Sequence, residues 1–334
     1  MKVLHLYHSK RPQGGISIHV ENIIEEINLQ SDYLNADSLN LYGYKGFFIL
    51  NKKIINPLPL LKKIEPYQII HIHGIFSIVI LFSLIISVFK KKTIICTPHY
   101  HPIRTLNHPL LSRIWIKAIY PFAKRISHFI VLTDLEKDLL IEEVLKRNKS
   151  NISIIPNGCR FKNYSPSQNQ NNFDLLFVGN TSENKNLQAL FNLENFFRSK
   201  NLNVAIVIEK EMMDKGPFKF YSNLSNDELT DLYIHSKILI IPSKYEAFSL
   251  VAVEALNFNC KVISSSNVAI SSLIKKENNF FFTYKNSNEL SGLIEKVLEI
   301  NLDEKTLQEI QSFLKSLSWH EVSQKTLKVY EFEA

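Results

Sequence analysis

Two glutamates in the segment KYEAFSLVAVEAL, Glu246 and Glu254, carry carboxylates in an apolar sequence and are candidate functional residues. The apolar residues around Glu254 predict a buried helix there. Because an unpaired carboxylate inside such a helix is costly, the two carboxylates would suit partners rich in hydroxyl groups, a ribose for one and a hexose for the other. Ser243 stands three residues before Glu246, so a capping box that closes a helix N-terminus is an alternative for Glu246.

Glycines and a lysine follow predicted strands where they could meet phosphate. Gly14 and Gly15 separate the first strand from the first helix, which would let backbone N–H groups approach an anion, or would only permit a tight turn. The pair does not form G-x-G-x-x-G, so a Rossmann oxidoreductase loses support. Lys185 follows the strand that ends at Gly179, and it could neutralise a diphosphate or simply face solvent.

Histidines lie at the ends of two predicted strands, 69–73 and 92–98. His99 and His101 lie just beyond the third predicted strand, where an imidazole could hydrogen-bond a sugar, act as an acid or base, or be satisfied by neighbouring backbone. A metal site built from these two with His71 and His73 is disfavoured, since no carboxylate companion lies nearby in the sequence. The sequence therefore predicts no metal site.

Composition and charge narrow the class of protein. The chain has 334 residues, 45% hydrophobic and 21% charged, which is typical of a soluble globular protein of about two domains. Residues 1–165 carry 22 Lys and Arg against 11 Asp and Glu, whereas residues 166–334 carry 17 against 21. The basic first half suggests an anionic partner there: nucleic acid, a membrane surface or a phosphorylated substrate. Nucleic acid is disfavoured because no aromatic stacking face or reading motif accompanies the charge.

One apolar segment raises the question of a membrane span. Residues 69–89 contain no charged residue, but His71, His73 and Gly74 interrupt the run and leave about 15 uncharged residues, short for a span. We expect a buried strand at 69–73 followed by an apolar helix at 77–89, with a spanning helix as the alternative.

Short β-branched runs alternate with helical patterns along the whole chain, which predicts an α/β fold with two tandem domains of parallel strands. A polar stretch at 163–173 is the expected linker. The expected strands lie at 2–8, 69–73, 92–98, 128–133, 152–156, 173–179, 203–209, 238–243 and 261–266. The expected helices lie at 18–30, 77–89, 108–125, 134–147, 186–200, 227–236, 249–257, 287–300 and 318–332.

Six motifs occur in the same order as in one known family. They are the Gly14-Gly15 pair, TPHYHP (97–102), IIPNG (154–158), FVGN with KNL (177–187), IPSKYEAFSLVAVEAL (241–256) and SWHEVSQKTLKVYEF (318–332). Together they resemble retaining glycosyltransferases of the GT-B architecture, family-4 type, and the spacing of Glu246 and Glu254 is similar to the E-x7-E signature of that family. The resemblance covers essentially the whole chain.

The resemblance implies two Rossmann-like domains that face each other across a cleft. Residues 1–162 would form the acceptor-binding domain and residues 163–316 the nucleotide-sugar-binding domain. Residues 317–334 would form a helix that returns to the N-terminal domain.

The family also implies roles for matching residues. His99 and Glu246 would act at the sugar, Lys185 would hold the diphosphate, and Glu254 would bind the ribose. The implied donor-binding set is Gly14, Gly15, Gly179, Asn180, Lys185, Ala247, Phe248, Ser249, Leu250 and Glu254. The implied reaction moves a hexose from a UDP- or GDP-linked sugar to a glycan or polyprenyl-linked lipid acceptor, with retention and without a metal or other cofactor.

Four positions depart from the family pattern. Asn180 stands where the family has arginine and Ala247 where it has glycine, while Asn259 and Lys261 replace a glycine and a proline. These departures keep open a catalytically impaired nucleotide-sugar-binding pseudo-enzyme or partner subunit.

A basic segment of the first half suggests where the acceptor would be presented. It follows FKKK (89–92), contains aromatic residues, and carries the candidate membrane or acceptor residues Arg104, Arg113, Trp115, Lys117, Lys124 and Arg125. Such a segment could lie on an anionic membrane, which predicts a cytoplasmic protein that is peripheral at the cytoplasmic face. An ordinary packing helix with a solvated basic face is the alternative.

Overall fold

The protein consists of two compact domains. The structure, a computed structural model, describes residues 1–9, 15–42, 46–49, 52–55, 57–102, 108–146, 151–161, 173–275 and 277–334. The first domain comprises Met1–Gly158 with Leu317–Ala334, and the second comprises Cys159–Ser316. The first domain thus ends at Gly158 rather than at 162, and it includes the C-terminal helix. The predicted linker lies almost wholly outside the described residues.

Gly158, where the first domain's main segment ends, packs closely against the C-terminal helix. A Cβ atom at this position would lie 2.3 Å from the ring of Trp319, so only glycine lets the backbone pass against this buried indole. Trp319 opens the C-terminal helix (Trp319–Glu333), and its ring belongs to the core of the first domain.

The first domain is built on a six-stranded parallel sheet in the order β2-β1-β5-β6-β7-β8, with β3 and β4 forming a separate antiparallel hairpin. The strands are β1 Lys2–Tyr7, β2 Asn35–Asn40, β3 Gly46–Ile49, β4 Lys52–Ile55, β5 Ile69–His73, β6 Thr93–Thr97, β7 His128–Val131 and β8 Asn151–Ile154. The helices are α1 Gly15–Gln30, α2 Pro57–Ile64, α3 Ile78–Phe89, α4 Pro109–Ala123 and α5 Asp134–Leu139, which a π-helical turn continues over Leu140–Leu145.

The second domain repeats this architecture with a parallel sheet in the order β11-β10-β9-β12-β13-β14. Its strands are β9 Phe173–Val178, β10 Val204–Val207, β11 Phe218–Tyr221, β12 Ser236–Ile241, β13 Lys261–Ser265 and β14 Phe281–Tyr284. Its helices are α6 Gln188–Phe191, α7 Glu194–Ser199, α8 Asn226–Ile234, α9 Leu250–Asn257, α10 Leu290–Leu298 and α11 Glu304–Ser316, and short 3₁₀ turns cover Ala269–Leu273 and Ser287–Glu289.

Each sheet has a switch point, where the order of the strands along the chain reverses. In the first domain this point lies between β1 and β5, and in the second between β9 and β12. Ligands of open α/β sheets bind outside the carboxyl ends of the strands at such a point. The fold therefore marks one candidate site in each domain.

The predicted α/β fold with two Rossmann-like domains is confirmed, and each strand expected from the sequence is present. The strands that the sequence did not reveal include β2, β11 and β14, which all lie at sheet edges. An edge strand is buried less completely, so its hydrophobic pattern is weaker: β2 reads NADSLN and is largely exposed. The single helix expected at 186–200 is divided into α6 and α7.

The uncharged segment at 69–89 forms β5 and α3, as the preferred interpretation predicts. The helix α3 has 12 residues, and within the described part of the chain no helix combines the length and apolar character needed to cross a bilayer.

Candidate functional site

An ion pair between a partly buried lysine and a buried glutamate lies at the switch point of the second domain. The Lys185 Nζ lies 2.7 Å from Oε1 of Glu246, and the hydroxyl of Ser243 donates a hydrogen bond of 2.5 Å to the same oxygen. Glu246 is only 8% exposed. Lys185 follows β9 and Glu246 follows β12, the two strands that flank the switch point, so the fold brings together two residues 61 positions apart.

Glu246 does not cap a helix. Its backbone N–H donates to the carbonyl of Asn267, and its carbonyl accepts from the N–H of Ala269, so the segment pairs with a distant loop. The helix α9 begins only at Leu250, with Ser249 as its N-cap. The capping-box alternative is therefore wrong for this residue, because tertiary pairing of the backbone overrides the local signal.

The start of α9 offers donors that the protein itself leaves unused. Ser249 is buried, and its hydroxyl has no hydrogen-bond partner among the described residues. The first backbone N–H groups of a helix lack intrahelical acceptors and carry partial positive charge. Ala247 and Phe248 are buried just before this turn, and Leu250 is its first residue. An anion at this end of α9 would satisfy both the N–H groups and the hydroxyl.

The loop after β9 is tightly constrained. A Cβ on Gly179 would lie 3.0 Å from the Phe177 ring and 3.5 Å from Cδ of Lys185, which explains the glycine. Asn180 accepts a hydrogen bond from the backbone N–H of Ser182, so its side chain serves its own loop. Position 180 thus lacks the basic side chain, usually arginine, of the family that the sequence resembles.

Glu254 faces a small cavity of about 210 Å³. The hydroxyl of Tyr233 donates a hydrogen bond of 2.9 Å to its carboxylate. Much of the surface of Glu254 is exposed, but its carboxylate group is largely surrounded by protein atoms. This burial raises the pKa of Glu254, and the hydrogen bond from Tyr233 opposes the rise. Typical ligand pockets reach about 300–1,000 Å³, so this cavity suits a fragment such as a ribose. Its other lining residues include Cys159, Arg160, Asn226, Thr230, Val253 and Asn257.

Two of the departures from the family pattern keep the local geometry by other means. Asn259 follows α9 with φ of 60°, the left-handed conformation that glycine favours and that asparagine tolerates best among other residues. Lys261 is buried, and its ammonium group donates to the carbonyls of Val297 and Ile300 at the end of α10. A cation at a helix C-terminus is electrostatically favourable.

His99 occupies the carboxyl edge of the first-domain sheet. Its backbone φ of 45° is unusual for a residue other than glycine, and such backbone strain is often found at functional sites. Its Nε2 is buried and has no hydrogen-bond partner among the described residues, and burial lowers the pKa of its ring well below the usual value. Gly15 opens α1, and a Cβ there would meet nothing within 4 Å. Gly14 lies outside the described residues.

A cluster of histidines, all but His99 buried, lies at the switch point of the first domain, and we call it the histidine cluster. It comprises His5, His19, His71, His73 and His99. The sequence did not indicate His5 or His19 because only the parallel register, in which His5 pairs with His71, brings β1 and β5 together. His71 and His73 share one face of β5, since residues two apart point the same way.

Hydrogen bonds organise the inner part of the histidine cluster. The Nδ1 of His5 lies 3.0 Å from Nε2 of His73, and the Tyr330 hydroxyl lies 3.1 Å from Nε2 of His5 and 2.6 Å from Nδ1 of His71. The remaining nitrogen of His71 pairs with Thr97. Burial lowers the pKa of His5 to about 3 and that of His19 to about 4, and it also lowers those of His71 and His73. The cluster is therefore uncharged at neutral pH.

The basic segment of the first domain combines positive charge with exposed apolar residues. On α4, Arg113 and Lys117 are exposed together with Leu110, Leu111 and Ile114. The Trp115 indole instead donates to the carbonyl of Ile75, which anchors α4 to the domain. Lys124 and Arg125 are exposed at the end of the helix, and Arg104 lies outside the described residues.

Two family models match successive parts of the chain. Glycosyltransferase Family 4 matches residues 34–161, and Glycosyl transferases group 1 matches residues 161–312. Together these matches extend over most of both domains.

Individual proteins agree with these matches. An uncharacterized glycosyltransferase of Methanocaldococcus jannaschii is 27% identical, over 95% of this chain and 94% of its own length. The UDP-Gal:alpha-D-GlcNAc-diphosphoundecaprenol alpha-1,3-galactosyltransferase of Escherichia coli is 22% identical, over 77% and 71%. The crystal structure of Anabaena HepE in complex with UDP superimposes with a TM-score of 0.74 at 15% identity, over 99% of this chain and all of that one, and supports the fold.

Proposed function

We propose that the chain is a glycosyltransferase that moves a hexose from a UDP- or GDP-linked sugar to a glycan or lipid-linked acceptor, with retention of configuration; the two family matches and the shared GT-B fold support this proposal. The observation that carries this proposal is the set of anion and hydroxyl binders around the switch point of the second domain. A lysine, an unused helix N-terminus and two carboxylates match the diphosphate and the two sugars of such a donor.

The nucleotide half of the donor is assigned to Glu254 and the start of α9. The carboxylate of Glu254 would accept hydrogen bonds from the ribose hydroxyls in the cavity that it shares with Tyr233. The diphosphate would lie at the N-terminus of α9, where the Ser249 hydroxyl has no partner among the described residues and the first N–H groups of the helix lack intrahelical acceptors. Lys185 would add a positive charge beside it.

For the sugar half of the donor, the roles that the family resemblance implies fall on Glu246 and on His99. Glu246 already has Lys185 and Ser243 as partners, so its carboxylate is oriented before the donor arrives. His99 is neutral and offers Nε2 for a sugar hydroxyl. Both residues would position the sugar rather than hydrolyse it.

The proposed reaction needs neither a metal nor a protein nucleophile. The acceptor oxygen forms its bond to the anomeric carbon on the face from which the nucleotide diphosphate departs. The departing diphosphate takes the electron pair of the broken C–O bond and then the proton of the acceptor hydroxyl. Lys185 and the start of α9 would stabilise the charge that develops on the diphosphate.

The acceptor is proposed to be presented at an anionic membrane. The E. coli relative is named for a diphosphoundecaprenol-linked substrate, which supports a lipid-linked acceptor. The exposed leucines of α4, with Arg113 and Lys117 beside them, would let this helix rest in the interface of the cytoplasmic leaflet. Exchanging both basic residues for glutamine should weaken binding to anionic vesicles roughly fivefold per charge. Co-sedimentation unchanged by the exchange and by salt would contradict this placement.

A nucleotide-sugar-binding pseudo-enzyme or partner subunit is the second candidate. Asn180, whose side chain serves its own loop, favours it because one basic contact to the diphosphate is missing.

A transfer assay separates the two candidates. The full chain would be incubated with each UDP- and GDP-linked hexose and with polyprenyl-diphosphate-linked sugars in vesicles, and the anomeric configuration of the product would be read by NMR. We expect a product with the donor configuration. An inverted product would contradict retention, and binding without turnover would favour the pseudo-enzyme.

A further inference from the structure

Three members of the histidine cluster carry ring nitrogens that the protein itself does not satisfy. His19 Nδ1, His73 Nδ1 and His99 Nε2 are buried and have no hydrogen-bond partner in the described part of the chain. One ring nitrogen from each of these three residues lies within 4.8 Å of those of the other two. Buried polar atoms are normally paired, so three unpaired nitrogens at one place need an explanation.

The hydrogen bonds single out this trio from the rest of the cluster. His5, His71 and His73 lie equally close together. Both nitrogens of His5 and both of His71, however, already pair with side chains of the domain. Only the trio of His19, His73 and His99 therefore has one uncommitted nitrogen on every member.

We propose that His19, His73 and His99 form a binding site for a transition-metal ion of the Zn²⁺ class. Imidazole suits Zn²⁺, Cu²⁺ and Ni²⁺, and three histidines with an open fourth position form a known Zn²⁺ arrangement. Zn–N bonds of about 2.1 Å in a tetrahedral site place the nitrogens about 3.4 Å apart. The ring nitrogens of the trio lie within 4.8 Å of one another, so the rings must close in for an ion to bind.

The surroundings of the trio resemble those of a metal site. Ligating histidines usually hydrogen-bond through their second nitrogen, and Nε2 of His73 pairs with His5, which Tyr330 holds in turn. Asn157 interacts with His19 and opposes the lowering of its pKa, but its buried Oδ1 makes no hydrogen bond of ordinary geometry within the described residues. This oxygen can accept a hydrogen bond from a water molecule on the fourth position of the ion.

Metal binding would compete with donor binding at His99. This consequence rests on the proposed function, in which the His99 imidazole contacts the donor sugar. An ion that takes Nε2 of His99 removes that contact, so Zn²⁺ should slow transfer. Metal binding itself is measured without donor, so its failure and a failure of the proposed function are distinguishable.

The test is a titration of the full chain, without a polyhistidine tag and stripped by a chelator, with ZnCl₂ in a calorimeter and with CoCl₂ by visible absorption. We expect one ion per chain with a dissociation constant of about 10 μM or lower, and the intense Co²⁺ bands of four-coordinate geometry. The absence of stoichiometric binding would mean that the nitrogens are satisfied by buried water, and it would overturn the proposal.

Variants locate the ion. His99→Gln and His19→Gln should each weaken Zn²⁺ binding at least about 100-fold. His101→Gln is the matched control, two residues from His99, and it should leave Zn²⁺ binding unchanged because His101 is exposed and outside the trio. Binding that survives both changes would place the ion elsewhere and overturn the proposal. If a variant fails to fold by circular dichroism, the Co²⁺ spectrum of the wild type decides, because weak six-coordinate bands would exclude a site of three histidines.

Discussion

The two domains share one architecture but fill their switch points with opposite chemistry. The first domain places five imidazoles there, four of them buried and that of His99 partly exposed, all with lowered pKa values. The second places the Lys185–Glu246 pair just beyond the corresponding strands, and the carboxylate of Glu254 on α9 faces a cavity. One site is neutral and closely packed, and the other is charged and has a cavity.

This difference indicates that the two sets of side chains suit different chemical groups of one donor. Charged groups and an open helix N-terminus suit the anionic, hydroxyl-rich nucleotide half of a donor. Neutral imidazoles suit hydroxyl groups, and they add no charge that would compete for the diphosphate. The same fold thus supports both sites because the side chains at the strand ends, rather than the sheet, determine what is bound.

The largest effect is expected from Glu246→Gln. Losing the carboxylate breaks the pair with Lys185 and removes the proposed sugar contact, so kcat should fall by about 10²–10³. Binding of the free nucleotide diphosphate should stay within about threefold, because Lys185 remains available to the phosphates. Steady-state kinetics and calorimetry measure the two quantities. If diphosphate binding falls as far as kcat does, the assignment of Glu246 to the sugar is wrong.

Glu254→Ala should mainly weaken nucleotide binding. Hydrogen bonds to a charged acceptor contribute about 1.5–3 kcal/mol, so the dissociation constant should rise about 10- to 100-fold. Tyr233→Phe is the matched control, because it removes only the hydroxyl that holds the carboxylate and should cost less than tenfold. Equal losses of nucleotide binding in the Glu246 and Glu254 variants would remove the proposed division of roles within the second domain.

In the first domain, Tyr330→Phe should lower stability without changing nucleotide affinity. The Tyr330 hydroxyl pairs with both His5 and His71, so its loss leaves buried imidazole nitrogens without partners. The expected cost is about 1–3 kcal/mol in the free energy of unfolding, measured by urea denaturation. A variant as stable as the wild type would show that the hydrogen bonds of the histidine cluster do not support the fold.

Acid should weaken donor binding earlier than an ordinary glutamate would. Burial raises the pKa of Glu254 above 4.5, so its carboxylate becomes protonated as the pH falls through this raised value. A protonated carboxyl accepts ribose hydrogen bonds less well, and affinity for a nucleotide sugar should fall in the same pH range. For stability the sign is opposite: the folded chain holds this proton more tightly, so stability falls as the pH rises between the unfolded and folded pKa values.

The pH profile is measured by calorimetry with a nucleotide sugar, whose diphosphate does not titrate in this range. Glu254→Gln should flatten the profile. A profile that keeps its shape in this variant would assign the titration to another group.

The smallest effect is expected from Asn259→Ala. An alanine in the left-handed conformation at this position costs about 1 kcal/mol, whereas Asn259→Gly should be neutral or slightly stabilising. Denaturant unfolding of both variants tests whether the family glycine is replaced here by a residue that keeps the same backbone.

Local patterns predicted much of the fold, and tertiary pairing decided the rest. The central strands are β-branched runs, so their sequence alone reveals them. The edge strand β2 has no such run, and the sequence near Ser243 suggests a cap that long-range backbone bonds to Asn267 prevent. Glu246 and Glu254 stood out because a carboxylate buried in an apolar segment is costly, but in the structure only Glu246 is a buried residue. The histidine cluster did not, because its members meet only through the register of β1 and β5.

The most direct test of the central claim, that the second domain binds a nucleotide sugar, is a thermal-unfolding panel with UDP, GDP, ADP and their common sugar conjugates. A ligand at ~100 times its dissociation constant adds about 2.7 kcal/mol to stability. We predict a clear rise in Tm with the nucleotides of a single base, UDP or GDP, and a smaller rise in the Glu254→Ala variant at the same concentration, since a dissociation constant raised 10- to 100-fold leaves only about 0.4–1.4 kcal/mol of stabilisation. A wild-type chain whose Tm does not change with any of these ligands would contradict the account.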